Sequence, residues 1–365
     1  MEAAELNYGS DQSGLVWGFR FGAGGVARTV DTAAAASWLA EQAKGQTPPV
    51  QLAPVLPERA SDGNVMRLPG AGSEEFIWLH FNLSNGASEK WLKQHVRLAD
   101  EFYEALHMGS RSTRIELAEN TLIGVVNDVL HNFSFDAHDI STMWISVAPN
   151  IVITARRKPL QSIERLRRAA ARGEPIRSTV ELLVHLLRDQ ADVLVHIVRD
   201  AVERVDDIED KLLAGRLTYK REDLGSLRRV LVRLQRLLAP EPAALFRLLQ
   251  RPPAWVSSLD SQELSESTEE FSVVLNDMAS LQERIKLLQE ESVARVNEEN
   301  GRSLYVLTIV TVLALPINII AGLLGMNVGG IPLAQHPHGF FIIAAIVATF
   351  TVVAGLLVIR EQKKS

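Results

Sequence analysis

LYVLTIVTVLALPINIIAGLL (Leu304–Leu324) and FFIIAAIVATFTVVAGLLVI (Phe340–Ile359) lie at the end of the chain, and neither contains a charged residue. Each is about 20 residues long, enough for a helix to cross roughly 30 Å of hydrocarbon. A buried helical hairpin of a soluble protein is the competing reading, but two long uncharged runs in succession rarely fit a soluble core. Arg302 precedes the first run, Arg360, Lys363 and Lys364 follow the second, and the loop Gly325–Gly339 between them carries no charge. Positive residues mark the cytoplasmic side of a membrane. Both termini are therefore expected inside and the loop outside.

The rest of the chain reads as soluble protein. The chain has 365 residues, a formal net charge of −6 and no cysteine, which excludes disulfides and thiolate metal sites. Met1–Ser13 is polar and acidic, with no apolar leader. Residues 1–158 mix strands and helices. Gly14–Phe21 reads as a strand and Thr32–Lys44 as a helix. In the strand Glu75–Leu83, Phe76, Trp78 and His80 alternate with Ile77, Leu79 and Phe81. Thr47–Ser73 is a Pro/Gly-rich loop and Ser88–His107 is helical. Thr113–Ala118 with Thr121–Leu130, and Thr142–Val147 with Ile151–Ala155, read as two hairpins. The expected fold is an α/β domain, a mixed sheet covered by helices.

Strands stop after Pro159. Residues 159–260 read as antiparallel cytoplasmic helices. Gln161–Arg172 is basic, and its arginines form a solvated face with no nucleic-acid role. Ser178 caps a helix to about Leu213, with Glu181 at the capping-box position. A further helix, Tyr219–Leu238, stops before Pro240 and places leucines at 224, 227, 231, 234 and 238, the seam of an antiparallel pair. Residues 261–303 form a stalk helix in which Phe271, Val274, Met278, Leu281, Ile285 and Leu288 repeat the pattern. It is read as continuous from roughly Ser267 through the first membrane helix (304–324), about 85 Å in all. The outer loop (325–339), the second membrane helix (340–359) and a basic cytoplasmic tail (360–365) complete the chain.

The first membrane helix carries a polar stripe. Leu304, Thr308, Thr311, Leu315, Asn318 and Gly322 follow spacings of 4, 3, 4, 3 and 4 and so share one helix face. Polar groups in such a helix face protein or water, so the stripe either packs helix on helix or lines a pore. One chain with two helices encloses no channel, and a pore would need a symmetric ring of copies. Pro316 interrupts the backbone ladder and frees the carbonyl of Val312. Gly325 allows the backbone to turn at the helix end.

The run Leu315-Pro316-Ile317-Asn318-Ile319-Ile320-Ala321-Gly322-Leu323-Leu324-Gly325-Met326-Asn327 resembles the signature of the CorA family of divalent-cation transporters, in which Gly-Met-Asn closes the first of two carboxy-terminal spans. Arg114-Ile115-Glu116 and Ile151-Val152-Ile153-Thr154-Ala155-Arg156 resemble strands of that family's soluble domain. The likeness implies a mainly helical membrane protein, a funnel-shaped homopentamer with five first-span helices around the ion path and the second spans outside them. Val328-Gly329-Gly330-Ile331-Pro332 is similar to the ZntB zinc-transport branch, whereas magnesium-type members follow Asn with aromatic and acidic residues and commonly place threonine where Asn318 stands. The implied cargo is Zn2+, with Co2+, Ni2+, Cd2+ or Mg2+ as alternatives and no cofactor. The implied setting is a bacterial-type inner membrane, with lipid, divalent cations and further copies of the chain as partners.

On that footing Gly325, Met326 and Asn327 sit at the outer mouth, with a ring of Asn327 amide oxygens meeting the water shell of the ion. Leu304, Thr308, Thr311, Leu315, Asn318 and Gly322 line the path, the leucines as narrow apolar rings. His336 and His338 flank Pro337 in the outer loop; imidazole suits zinc, though the favoured reading is that they are ordinary interfacial residues. The acids Asp206, Asp207, Glu209 and Asp210, and Glu290, Glu291, Glu298 and Glu299, read as solvated surface or as a cation-attracting lining. An enzyme is not expected. Gly22-Ala23-Gly24-Gly25-Val26-Ala27 fits a dinucleotide loop only by its letters, because Arg28–Asp31 intervene before the helix. The rivals are a Mg2+/Co2+ channel of the same family and a membrane-anchored scaffold or metal sensor that moves no ion.

Overall fold

The structure is a computed structural model that describes residues 9–22, 24–45, 75–108, 113–214, 221–326, 333 and 336–362. The loop Thr47–Ser73, Tyr219, Asn327, Val328–Pro332, Lys363 and Lys364 lie outside the described residues.

Seven strands form one sheet: β1 (Leu15–Phe21), β2 (Ala27–Val30), β3 (Phe76–Asn82), β4 (Arg114–Ala118), β5 (Thr121–Val129), β6 (Ile140–Ala148) and β7 (Ile151–Arg156). Their spatial order is β2-β1-β3-β7-β6-β5-β4. Only β3 and β7 run parallel, so the sheet is mixed. Alternation decides its two faces. Phe76 and Trp78 of β3, with Leu122 and Val126 of β5, enter a core closed by α4 (Gln161–Ala171) and the first turns of α5 (Thr179–Leu213). Ile77, Leu79 and Phe81, with Ile123 and Val125, enter a second core under α1 (Thr32–Gly45), α2 (Ala87–His95) and α3 (Asp100–Met108). Three layers result, helices on both faces of the sheet.

Local chemistry fixes the joints. Glu119 and Asn120, with φ of 46° and 68°, supply the left-handed pair that a two-residue hairpin between β4 and β5 requires. The glycine-rich turn after β1 leads into β2, an antiparallel neighbour of β1. It opens no helix, and a phosphate site of the dinucleotide type has no helix terminus to use. Gly25 has φ +72°, and a side chain there would begin 2.8 Å from the carbonyl oxygen of Ile176. Its own carbonyl accepts the Ile176 N–H at 2.9 Å.

The helix expected over Ser88–His107 is two helices. Val96 is extended, at φ −124° and ψ 129°, and both Val96 and Ala99 are buried in the second core. Burying that pair outweighs the helical preference of the segment, and Asp100 begins a new helix. After α6 (Arg221–Leu238) the chain does not pause at Pro240. Pro240 opens α7 (Pro240–Leu249), the position where its missing N–H and fixed φ cost nothing. The expectation had only ended a helix there.

α8 runs from Ser258 to Leu324 as one helix that contains Pro316, and α9 spans Gly339–Gln362. The leucines at 224, 227, 231, 234 and 238 of α6, and Phe271, Met278 and Ile285 of α8, are buried. Gln282 Nε2 of α8 donates to Gln235 Oε1 of α6 at 2.9 Å. The chain divides into two compact units, Met1–Lys286 and Leu287–Ser365.

The start of α5 is pinned to the start of α8. Ser178 Oγ accepts the Glu181 N–H at 2.9 Å and donates to Asp260 Oδ1 at 2.8 Å. The reciprocal half of the expected capping box is displaced by one residue. Glu181 accepts the N–H of Arg177 rather than that of Ser178, because it also pairs with the Arg177 guanidinium at 2.9 Å. Arg177 reaches Glu263 of α8 at 3.0 Å. Ser178→Ala is expected to cost about 1–2 kcal/mol, the loss of an N-cap, and Ser178→Thr much less. Thermal unfolding of the purified full-length protein checks this; equal midpoints for the two variants would contradict the cap.

Candidate functional site

The uncharged part of α8 and the whole of α9 are long and apolar enough to cross a membrane, with 18-residue windows of mean hydropathy 2.4 in each. Their surfaces lie open within one copy: Leu304 is 64% exposed, Val310 57%, Leu323 59% and Phe340 79%. No soluble core covers these residues, so the hairpin reading fails and lipid or further protein must take them up.

Exposure is not uniform around α8. Leu304, Thr308, Thr311, Leu315, Asn318 and Gly322 are all exposed, whereas Ile309, Leu313, Ala314, Pro316, Ile317, Ile320 and Leu324 are half-covered. At 3.6 residues per turn the centres of the two sets lie about 175° apart around the helix. Within α9, Ile343, Val347, Thr351 and Ala354 are the corresponding half-covered positions, again on one side. The polar stripe is therefore not the face by which one chain's two membrane helices meet.

The stripe's hydroxyls are held within their own helix. Thr308 Oγ1 donates to Leu304 O and Thr311 Oγ1 to Leu307 O, each at 2.8 Å. Each hydroxyl spends its proton on the backbone and keeps oxygen lone pairs directed outward. The Asn318 carboxamide, on the same exposed face, makes no hydrogen bond to any described residue. An edge with the acceptor oxygens of Thr308, Thr311 and Asn318 can meet a cation or its water shell, and the Asn318 amide N–H groups remain available to water.

At the helix end, Gly325 is not left-handed as a terminating glycine would be. Its N–H donates to Ala321 O at 2.9 Å and closes the last helical bond, and the chain turns at Gly325, one residue past the helix end at Leu324. Met326 is 52% exposed. Asn327, the third residue of the signature, falls outside the described residues.

His336 and His338 are exposed, their ring centroids 6.1 Å apart. The His338 N–H donates to His336 Nδ1 at 3.2 Å, which places the proton of the neutral His336 ring on Nε2. Among the described residues no group of three or more His, Asp or Glu side chains could hold a metal ion. His80 is fully buried, stacked 3.9 Å from Trp17 and bonded through Nδ1 to Thr154 Oγ1 at 2.8 Å. Burial first, and the Arg156 charge second, push it well below the usual imidazole range, so it is a neutral part of the core.

Arg284 of α8 meets Asp206 of α5 at 2.7 Å and also pairs with Glu209. Asp207 pairs with Lys211, and Glu291 with Arg295 at 2.8 Å. Four of the acids are thus engaged with cations of the chain itself. Sequence reasoning missed the Arg284 pairings because Asp206 and Arg284 are remote in sequence, whereas the Asp207–Lys211 and Glu291–Arg295 pairs follow from i, i+4 spacing.

A family model described as CorA-like Mg2+ transporter protein matches residues 73–360. The chain is 28% identical over 282 residues to the divalent cation transporter CmaX of Pseudomonas aeruginosa, covering 76% of this chain and 85% of that one. It is 26% identical over 270 residues to the zinc transport protein ZntB of Pectobacterium atrosepticum, covering 74% and 82%. The solved structure of the full-length CmaX protein shares the fold, with a TM-score of 0.73 at 24% identity over 96% of this chain and 99% of that one.

Because both hydroxyls are satisfied internally, Thr308→Val and Thr311→Val should leave the thermal midpoint and oligomeric state of the purified protein nearly unchanged, within about 0.5 kcal/mol. A large loss of stability or assembly would mean that these hydroxyls bridge to another helix.

Proposed function

The chain belongs to the CorA-like Mg2+ transporter family, and from that membership we propose that it forms a homopentamer which passes divalent cations, Zn2+ foremost, along an axis lined by the first membrane helix. It sits in a bacterial inner membrane with both termini in the cytoplasm. The single observation that carries this reading is the bare polar edge of α8, opposite the side that is half-covered within one copy. Rotating five such helices so that this edge faces inward buries the only carboxamide and both threonines of the span away from lipid, and leaves the second helices outside.

The path then reads from the outer mouth inward. Asn327 oxygens hydrogen-bond the water shell of an arriving ion without trapping it, since conduction needs weak and successive binding. Asn318, Thr311 and Thr308 follow as rings of oxygen acceptors, with an apolar ring of Leu315 between Asn318 and Thr311 and one of Leu304 beyond Thr308, both gating by dewetting. Met326 packs the loop. His336 and His338 lie beside the mouth, where imidazole nitrogens offer zinc a transient stop. Zinc is favoured over magnesium by the loop after Asn327, by Asn318 in the stripe, and by the likeness to a relative named as a zinc transport protein. The relative named only as a divalent cation transporter keeps Mg2+ and Co2+ as the second reading.

Reconstitution in liposomes with a zinc-sensitive dye tests this. Asn327→Ala is expected to abolish uptake while the oligomer stays intact, and Asn318→Leu to block flux by drying the path. Zinc, cobalt and nickel should compete with one another more strongly than magnesium does. Wild-type flux no greater than that of Asn327→Ala would favour a scaffold that moves no ion.

A further inference from the structure

The soluble unit holds a buried carboxyl group that no cation answers. Glu241 is the second residue of α7 and is fully buried. Its Oε2 stands 3.5 Å from Gln190 Nε2 of α5, and its Oε1 has no hydrogen-bond partner. Around it lies an apolar cavity lined by Ile115 of β4, Leu122 and Val126 of β5, and Leu183 and Leu187 of α5. Among the described residues the groups acting on it are Gln190 and Asp128 of β5, the latter a like charge. Asp128 is itself buried and occupied in capping α4: its Oδ1 accepts Ser162 Oγ at 2.8 Å and its Oδ2 accepts the Ser162 N–H at 3.0 Å. Asp189 of α5 also feels Asp128, and Arg165 of α4 lies 3.5 Å from Asp189 rather than beside Glu241.

Glu241 stands at one end of a chain of buried polar contacts. Gln190 Nε2 also donates to Asn127 O of β5 at 2.6 Å. Asn127 Nδ2 donates to Thr113 Oγ1 at 3.2 Å and to Leu237 O at 3.4 Å, and Thr113 Oγ1 donates to Leu237 O at 2.7 Å. These bonds fasten the last turn of α6 to the sheet. Two residues before Leu237, Gln235 receives the bond from Gln282 of α8, and the helix that carries Gln282 runs on to Leu324.

We propose that Glu241 is a proton-binding site whose occupancy sets the packing of α6 and α7 on the sheet, and through Gln235 and Gln282 the support given to α8. With its proton the carboxyl is neutral, accepts from Gln190 and rests in the cavity. Without it, an anion faces apolar side chains and Asp128, and the site can relieve that charge only by letting α7 move toward water. Burial, first, and Asp128, second, push its carboxyl well above the usual range, the direction that favours the protonated form. For a group raised in the folded state, stability is full below the unfolded value and is lost as pH rises through the folded one. The switch therefore opens on the alkaline side. A glutamine here would pack alike without it.

Hydrogen exchange of the full-length protein in detergent between pH 6.5 and 9, corrected for intrinsic rates, reads the site without any transport. In the wild type, amides of residues 244–249 should exchange about tenfold faster at the alkaline end, as expected for a shift of roughly one decade in an opening equilibrium. Glu241→Gln should remove that rise. Asp128→Asn, which takes away the like charge, should move it to lower pH. A wild type with no rise, or a Gln variant that keeps it, would overturn the proton site. The link to α8 rests on the transport reading and is tested separately: zinc flux in liposomes should fall over the same window of internal pH in the wild type and stay level in Glu241→Gln. Wild-type flux that stays level while α7 loses protection would overturn the link.

Discussion

An amide in the middle of an apolar helix has to find water or protein, because moving it into hydrocarbon without a partner costs on the order of 4–8 kcal/mol. Asn318 stands in that position, with Thr311 and Thr308 on the same edge, and the proposed assembly answers to it. The second membrane helix cannot satisfy the edge, since the half-covered side of α8 is the opposite one. Something outside the single copy must therefore do so. Identical edges around a shared axis meet the requirement with the fewest parts, and they leave a row of oxygen acceptors where a hydrated cation could pass.

The threonines refine that picture. A hydroxyl bonded to its own backbone neither demands a partner nor offers a proton. It contributes oxygen alone, which is what a cation can use and what a helix–helix bridge lacks. Within the first compact unit, contacts from α5 and α6 hold α8 between Asp260 and Arg284. Ser178, Arg177 and Asp260 tie its start to α5, Gln282 ties it to α6, and Arg284 ties it to the acids of α5. Asp206 and Glu209 thereby act as anchors for α8, and the single charge of Arg284 offsets one of their two.

Much of this was legible in the sequence where the signal is local. The alternation of Phe76, Trp78, Ile77 and Leu79 placed each side chain in its proper core, and Glu119-Asn120 marked a hairpin by its left-handed pair. The polar stripe followed from spacing alone. Long-range effects were not legible. The break at Val96–Ala99 arises from burial against the sheet, and the network from Glu241 to Leu237 joins residues far apart in the chain. Pro240 was ambiguous because the same residue ends one helix and begins another.

The absence of cysteine from the chain makes the central claim directly measurable. Single cysteines placed at Thr311, Asn318 and Val310, one at a time, can be treated in proteoliposomes with a charged, water-soluble thiol reagent. The account predicts that Thr311→Cys and Asn318→Cys react and lose flux on reaction, while Val310→Cys, on a lipid-side face, stays unlabelled. Labelling at Val310 with none at Thr311 or Asn318 would contradict a watery axis along this edge.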